Sequence, residues 1–373
     1  MFDKKEIKNV KKDYVANTVI IYFSDTELGN FQKIHKSIRA NTKFIEIGTK
    51  NPKIHTELEK NKFEEIFIPW SLTNSNENVM SVSSFFQQNI DKLKELLQNA
   101  DLAIILYKSQ DLDMLLYVRE LSYILDKYDV FSFHCVVENF VTSKQQDKYY
   151  LKVKSDALKY RQPVIPILES TIVEAYEDAS LVNRKKFISR FVLDLIESIV
   201  VPFVEPDLNP NHFSSIKSLF YSNDKNFQSK VIPTIGISMS KVDWLDLSII
   251  QALSNPIFYG SFGASGTFIV TIKTPYITNK MVDRIRHILK MVIGENKNFL
   301  ICKYIGEFDV DIYSQITILA LNSDESKLIK ESKDIENHIK KLLVEVEKSK
   351  KLFNNDLTKT IVLDTPWEKL KNK

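Results

Sequence analysis

Thr18 to Ser24 (TVIIYFS) is a run of apolar, β-branched and aromatic residues without polar alternation, the pattern of a strand buried on both faces. Outward from it, Phe31 to Ala40 has helical spacing and Lys43 to Gly48 (KFIEIG) is again strand-like, so the three segments predict a βαβ unit. Further strands are expected at Phe63 to Trp70, Leu102 to Tyr107, Val130 to Glu138 and Pro163 to Leu168, with helices at Ser84 to Gln98, Leu112 to Lys127 and Tyr149 to Tyr160. Strands that alternate with helices predict a mostly parallel sheet covered on both faces.

From Phe187 the pairs Phe187/Ile188, Phe191/Val192, Leu195/Ile196 and Ile199/Val200 recur every four residues, the stripe of a long buried helix expected to end before Pro202. Beyond Pro206 and Pro210 the order changes to a strand at Val231 to Met239, a helix at Trp244 to Leu253, a strand at Thr267 to Lys273 and a helix at Thr278 to Met291. Strands at Phe299 to Ile305 and Tyr313 to Leu321 complete a second, α+β unit. The expected division is an α/β domain over 1–182, a connecting helix and loop over 183–222, an α+β domain over 223–322 and a charged tail over 323–373. In that tail, Leu328, Ile335, Ile339, Leu342, Val346 and Phe353 fit one helix face, which packs either on its own domain or on a partner.

A chain of 373 residues exceeds the size of most single cores, and 44% apolar with 27% charged residues is ordinary for a globular protein. A formal charge of +3, with acids and bases mixed, argues against nucleic acid as a partner. Cys135 and Cys302 sit among apolar neighbours, which suits buried thiols in a reducing cytoplasm rather than a disulfide framework. No run of roughly 18 apolar residues occurs, so membrane contact is expected only through a partner or a surface helix. The histidines at 35, 55, 134, 287 and 338 lack the spacing of a metal site.

Glycine is scarce. Only eight occur, and only Gly29 and Gly48 precede residue 230. Loops that wrap phosphates with backbone N–H groups need glycine for positive φ and close approach, so the N-terminal half has little to build one with.

Three local motifs then carry a family resemblance. Ser254-Asn255-Pro256-Ile257 through Gly263-Ala264-Ser265-Gly266, followed by Phe268 to Ile272, resembles the turn-and-strand signature of FtsZ, the bacterial relative of tubulin. Ala100-Asp101-Leu102-Ala103-Ile104-Ile105 is similar to that family's Ala-Asp strand, and Leu363-Asp364-Thr365-Pro366-Trp367 through Lys373 to its C-terminal peptide. The resemblance implies a Rossmann-like GTPase-type domain, a long central helix and a smaller α+β domain.

The departures from the family pattern are as informative. The glycine-rich phosphate loop is replaced by Lys108-Ser109-Gln110-Asp111-Leu112-Asp113, and the first phosphate loop by Ser24-Asp25-Thr26-Glu27-Leu28-Gly29-Asn30. Acids there repel phosphate where the family attracts it. Ser24, Asp25 or Thr26 reads better as a helix N-cap than as a remnant nucleotide contact. Lys108 reads as solvated surface, although it can attract an anion. In the family, a loop after the central helix reaches the next subunit's nucleotide with two carboxylates. The aligned residues here are Asn211-His212-Phe213-Ser214-Ser215, so His212 and Ser215 replace both acids. A histidine can serve as a base near neutral pH, and a shifted alignment brings Asp207 into the loop instead.

The resemblance with these departures leads to an FtsZ-like cell-division protein that has lost GTP binding and hydrolysis. It assembles head to tail, alone or with an FtsZ-like protein, at the division site in the cytoplasm, through Asn211, His212 and Phe213. No cofactor is expected, or GTP if the protein is instead an active, divergent GTPase. A membrane-tethering division protein is the expected partner of the tail, with Pro366 pre-setting the backbone, Trp367 and Leu370 filling a groove, and Asp364 and Lys371 adding charge. A frayed terminus is the bland reading of that tail, and a tubulin-fold adaptor that does not polymerise is the remaining alternative.

Overall fold

The computed structural model describes residues 16–23, 42–48, 63–67, 78–108, 112–138, 162–168, 181–204, 217, 233–241, 245–254, 262, 265–305, 313–322, 341 and 344. The expected helices at Phe31 to Ala40 and Tyr149 to Tyr160, and the tail positions from Leu328 to Lys373 discussed above, lie outside these residues.

Six parallel strands form the first sheet: β1 (Thr18–Phe23), β2 (Thr42–Gly48), β3 (Phe63–Phe67), β4 (Leu102–Lys108), β5 (Phe131–Glu138) and β6 (Val164–Leu168). Their order is β3-β2-β1-β4-β5-β6. Burial on both faces explains the unbroken apolar runs, because alternate residues of one strand enter different cores. Val19, Ile21 and Phe23 pack with Leu93 and Leu97 of α1 (Asn78–Leu97) and with Val118, Leu121 and Leu125 of α2 (Leu112–Lys127). Ile20 and Tyr22 turn the other way, toward Val192, Ile196 and Val200 of α3 (Leu181–Val204).

Asp101 precedes β4, and its carboxylate accepts the Asn17 backbone N–H at 2.9 Å while Asn17 O accepts the Asp101 N–H at 2.9 Å. The Ala-Asp start of this strand therefore fixes its register against β1.

Helix α3 lies between the first sheet and a second one. It runs past the expected end before Pro202 and closes at Val204. Proline removes the N–H that would bond the carbonyl four residues back. That acceptor is Ser198 O, and the Thr271 hydroxyl donates to it at 3.0 Å. A donor from the second sheet thus satisfies the carbonyl, so the helix continues through its last turn.

The second sheet has the order β7-β10-β8-β9, with β7 (Thr234–Lys241), β8 (Ser265–Thr274), β9 (Asn298–Ile305) and β10 (Tyr313–Asn322). β10 is antiparallel to both neighbours, whereas β8 and β9 are parallel. One face offers Ile235, Ile269 and Leu319 to α3, and the other packs α4 (Leu245–Ser254) and α5 (Asn279–Ile293) through Leu253, Phe268, Ile285, Leu289 and Ile318. Gly236 is required here. A Cβ on it would lie 1.9 Å from the Ala252 carbonyl oxygen, so only glycine lets β7 approach α4 this closely.

Candidate functional site

The chain winds outward from β1 in both directions, to β3 on one side and β6 on the other, so β1 and β4 flank the topological switch point of the sheet. In open α/β sheets ligands bind in the crevice outside the carboxyl ends of the strands at this point. The two strands pair in register from Thr18↔Leu102 to Tyr22↔Leu106, and their last residues are Phe23 and Lys108. The segments that follow both are where the family resemblance puts its phosphate loops, read here as vestigial. Lys108 is placed, half-buried, at the end of β4. Ser24, Asp25, Thr26, Gly29, Ser109 and Gln110 lie outside the described residues.

Helix α2 begins at Leu112, so Asp111 directly precedes it and Asp113 is its second residue. Carboxylates at a helix N-terminus complement the partial positive charge of the dipole themselves.

The end of α3 lies at the opposite edge of the sheet. Ala16, just before β1, donates its N–H to Phe203 O at 3.1 Å, and the Phe203 ring sits 6.0 Å from that of Phe131 at the start of β5. Lys217 closes the same edge: its ammonium donates to the Asp129 backbone oxygen at 3.2 Å and to Asp129 Oδ1 at 2.9 Å. Asp129 has φ 56°, and the Val130 N–H reaches back to Leu125 O at 2.9 Å, a Schellman closure of α2 in which aspartate stands where glycine is usual. The segment joining Val204 to Lys217 is therefore anchored at both ends on the amino-terminal edge of the strands. Asn211, His212, Phe213 and Ser215 belong to that segment and lie outside the described residues, as do Asp364, Pro366, Trp367, Leu370 and Lys371 of the tail. Phe203 and Lys217 thus sit at the amino-terminal edge of the strands, opposite the carboxyl ends of β1 and β4 at Phe23 and Lys108.

A polar seam that the sequence reading missed joins α3 to the second sheet. Lys273 on β8 makes a 2.8 Å ion pair with Glu197 and lies 3.9 Å from Asp194, with all three side chains 3–5% exposed. Ser198 Oγ shares a 2.8 Å hydrogen bond with Thr317 Oγ1 and donates to Asp194 O at 2.7 Å. Gln315, paired in register with Lys273, holds a buried side-chain oxygen without a hydrogen-bond partner. The available signal was a cluster of polar residues at 194, 197 and 198 inside an otherwise apolar helix stripe.

His134 is buried in β5, with Nε2 against the Gln162 side-chain oxygen and 3.4 Å from Ser122 Oγ, and with the Tyr107 ring edge-on at 5.9 Å. Burial pulls its pKa down to about 4. Burial pushes the Cys135 thiol up to about 12 and raises Cys302 further. Inaccessible, unionised thiols and a neutral histidine are core groups, not nucleophiles or bases. Among the described residues no three His, Cys, Asp or Glu gather to hold a metal, and no helix is long and apolar enough to cross a membrane.

No protein-family profile and no curated protein matches this chain. Solved structures do. An FtsZ dimer of M. jannaschii is 11% identical with a TM-score of 0.62, over 85% of this chain and 91% of that one. CetZ2 of Haloferax volcanii, solved as a protofilament with GTPγS bound, is 11% identical with a TM-score of 0.57, over 89% and 99%. TubZ of Bacillus thuringiensis serovar israelensis, solved as GDP-form protofilaments, is 13% identical with a TM-score of 0.53, over 92% and 98%. The likeness is spread over FtsZ, CetZ and TubZ and does not single out bacterial FtsZ. With a parallel sheet of order β3-β2-β1-β4-β5-β6, a long central helix and a four-stranded second sheet, the chain has the tubulin/FtsZ fold.

Proposed function

We propose that this protein is a cytoskeletal subunit that assembles head to tail, with itself or with an FtsZ-like protein, and neither holds nor hydrolyses GTP. One observation carries the reading. The carboxyl ends of β1 and β4 meet at the switch point of a nucleotide-type sheet, yet the residues that continue them, Ser24 to Asn30 and Ser109 to Asp113, hold one glycine and four acids. A triphosphate at that edge would face Asp25, Glu27, Asp111 and Asp113 without a glycine-built nest of N–H groups. Lys108 alone does not offset that repulsion.

The opposite edge supports assembly. The segment from Glu205 to Ile216, clamped by Phe203 and Lys217, would meet the neighbour's crevice edge, with Asn211, His212 and Phe213 in the contact. The FtsZ, CetZ2 and TubZ structures described above are a dimer and protofilaments, which favours the same kind of contact here. His212 and Ser215 bring no carboxylate to that contact, so hydrolysis in trans is absent. On this reading the tail, through Asp364, Pro366, Trp367, Leu370 and Lys371, joins a membrane-tethering partner, and the protein works at the division site in the cytoplasm.

Light scattering and electron microscopy of the purified protein, with and without GTP and with and without an FtsZ, test the reading. Assembly that depends on protein concentration and ignores GTP is expected. Assembly that starts only on adding GTP would show an active GTPase, and no assembly under any of these conditions would show a non-polymerising adaptor.

A further inference from the structure

Helix α5 presents an exposed cationic face, met among the described residues by Asp246 of α4 at Arg284. Its apolar side, Ile285, Ile288, Leu289, Val292 and Ile293, is buried in the second core. Thr278 caps one end, accepting the Met281 N–H, and the Gly294 N–H closes the other on Lys290 O at 2.9 Å, so the helix is fixed in rotation. The outward residues are Lys280, Asp283, Arg284, Arg286, His287, Lys290 and Met291, all exposed. Lys280, Arg284, His287 and Met291 follow one another at spacings of four, three and four, one straight line along the helix. Lys290 and Arg286 both lie to one side of that line, Arg286 about 160° round the helix from Arg284, and Asp283 is the single acid of the helix.

The ion pairs on this face are weak. Arg284 meets Asp246 of α4 at 2.5 Å and Arg286 meets Asp283 at 3.2 Å, with both guanidiniums and Asp283 more than a third exposed. Pairs this solvated contribute little, and their guanidiniums remain able to bind phosphate oxygens. Tyr276, 52% exposed, and Met291, 60% exposed, stand at the two ends of the row. Four lysines and arginines on one amphipathic helix, with an aromatic and a flexible apolar side chain at its tips, fit the charge and polarity profile of an anionic bilayer surface. The exposed Tyr276 and Met291 suit the interfacial layer of a bilayer, and the chain's formal charge of only +3, with acids and bases mixed, argues against a nucleic acid.

We infer that the outward face of α5, through Lys280, Arg284, Arg286 and Lys290, docks on an anionic lipid membrane. The contact is peripheral, because the apolar side of the helix stays in the core. The attraction of so few bases to such a surface is screened by salt, so binding is weak and reversible for a single copy. This inference stands apart from the filament reading and requires neither assembly nor the tail.

Co-sedimentation of the full chain with vesicles of phosphatidylcholine alone, or mixed with phosphatidylserine, tests it at low and at raised salt. Binding only to the phosphatidylserine vesicles, lost as salt rises, is expected. The double variant Lys280→Glu/Lys290→Glu should bind on the order of tenfold or more weakly. Lys43→Glu/Lys127→Glu, the same charge change at exposed lysines of β2 and α2, should bind as the parent does. Far-UV circular dichroism confirms that both variants fold. Three results would overturn the inference: equal loss in both variants, equal binding to phosphatidylcholine, or binding to an oligonucleotide without binding to lipid. Impaired self-assembly of the α5 variant with unchanged lipid binding would assign the face to a second copy instead.

Discussion

The Thr271 hydroxyl donates to the Ser198 carbonyl at 3.0 Å, the acceptor that Pro202 leaves without an N–H partner in α3. One side chain of the second sheet thereby satisfies a backbone group of the central helix at the point where the helix alone cannot. The bond explains how a proline is tolerated inside the last turn, and it couples helix and sheet.

Replacing Thr271 by valine keeps the shape and leaves a buried carbonyl unsatisfied, which costs about 1–3 kcal/mol. Urea unfolding measures it. The same change in a Pro202→Ala background should cost less, because alanine restores the N–H, and equal costs in both backgrounds would contradict the coupling.

Lys273→Met should destabilise the protein by about 3–5 kcal/mol, because Glu197 and Asp194 stay buried without their ammonium. Adding Glu197→Leu should recover part of the loss. If both variants unfold at the parent's urea midpoint, the seam contributes nothing to stability.

Gly236→Ala drives a methyl group into the Ala252 carbonyl, which is backbone and cannot rotate away. The expected loss is at least about 1–3 kcal/mol, read as a lower thermal midpoint. A midpoint within experimental error of the parent's would show that β7 and α4 part easily.

His134 gives stability a pH dependence of known sign. Its folded pKa, about 4, lies below the unfolded value of 6.5, so between these values the unfolded chain binds a proton that the native one does not. Stability is therefore full above pH 6.5 and falls as the pH drops toward 4, by up to about 3 kcal/mol from this group. His134→Gln should flatten that part of the stability–pH curve, and an unchanged slope would assign it to other groups.

Much of the fold was legible in the sequence because its strands are buried on both faces and read as unbroken apolar runs. Helix α2 spans Leu112–Lys127 as its periodicity predicted, and β5 and β6 begin within a residue of their expected starts. The first six residues of α1, Asn78 to Ser83, went unread because Asn78, Ser81 and Ser83 are poor helix formers that interrupt the helical spacing of Val79 and Val82. The helix end at Pro202 was misjudged for a different reason. Proline is a local signal, and the donor that overrides it comes from Thr271, far along the chain. Lys273 looked like part of an apolar strand, and only the pairing of α3 with β8 shows that it answers Glu197. At the crevice, the parallel sheet was readable from the sequence but the strand order that makes β1 and β4 its centre was not. Strand order fixes where β1 and β4 end, while Ser24 to Gly29 and Ser109 to Gln110 were judged by composition alone.

Isothermal titration of the purified protein with GTP and with GDP in the presence of magnesium tests the central claim most directly. The acids and missing glycines beyond Phe23 and Lys108 predict no saturable heat with either nucleotide. A saturable isotherm with one nucleotide per chain, weakened by Lys108→Ala, would contradict it and return the crevice to guanine nucleotide.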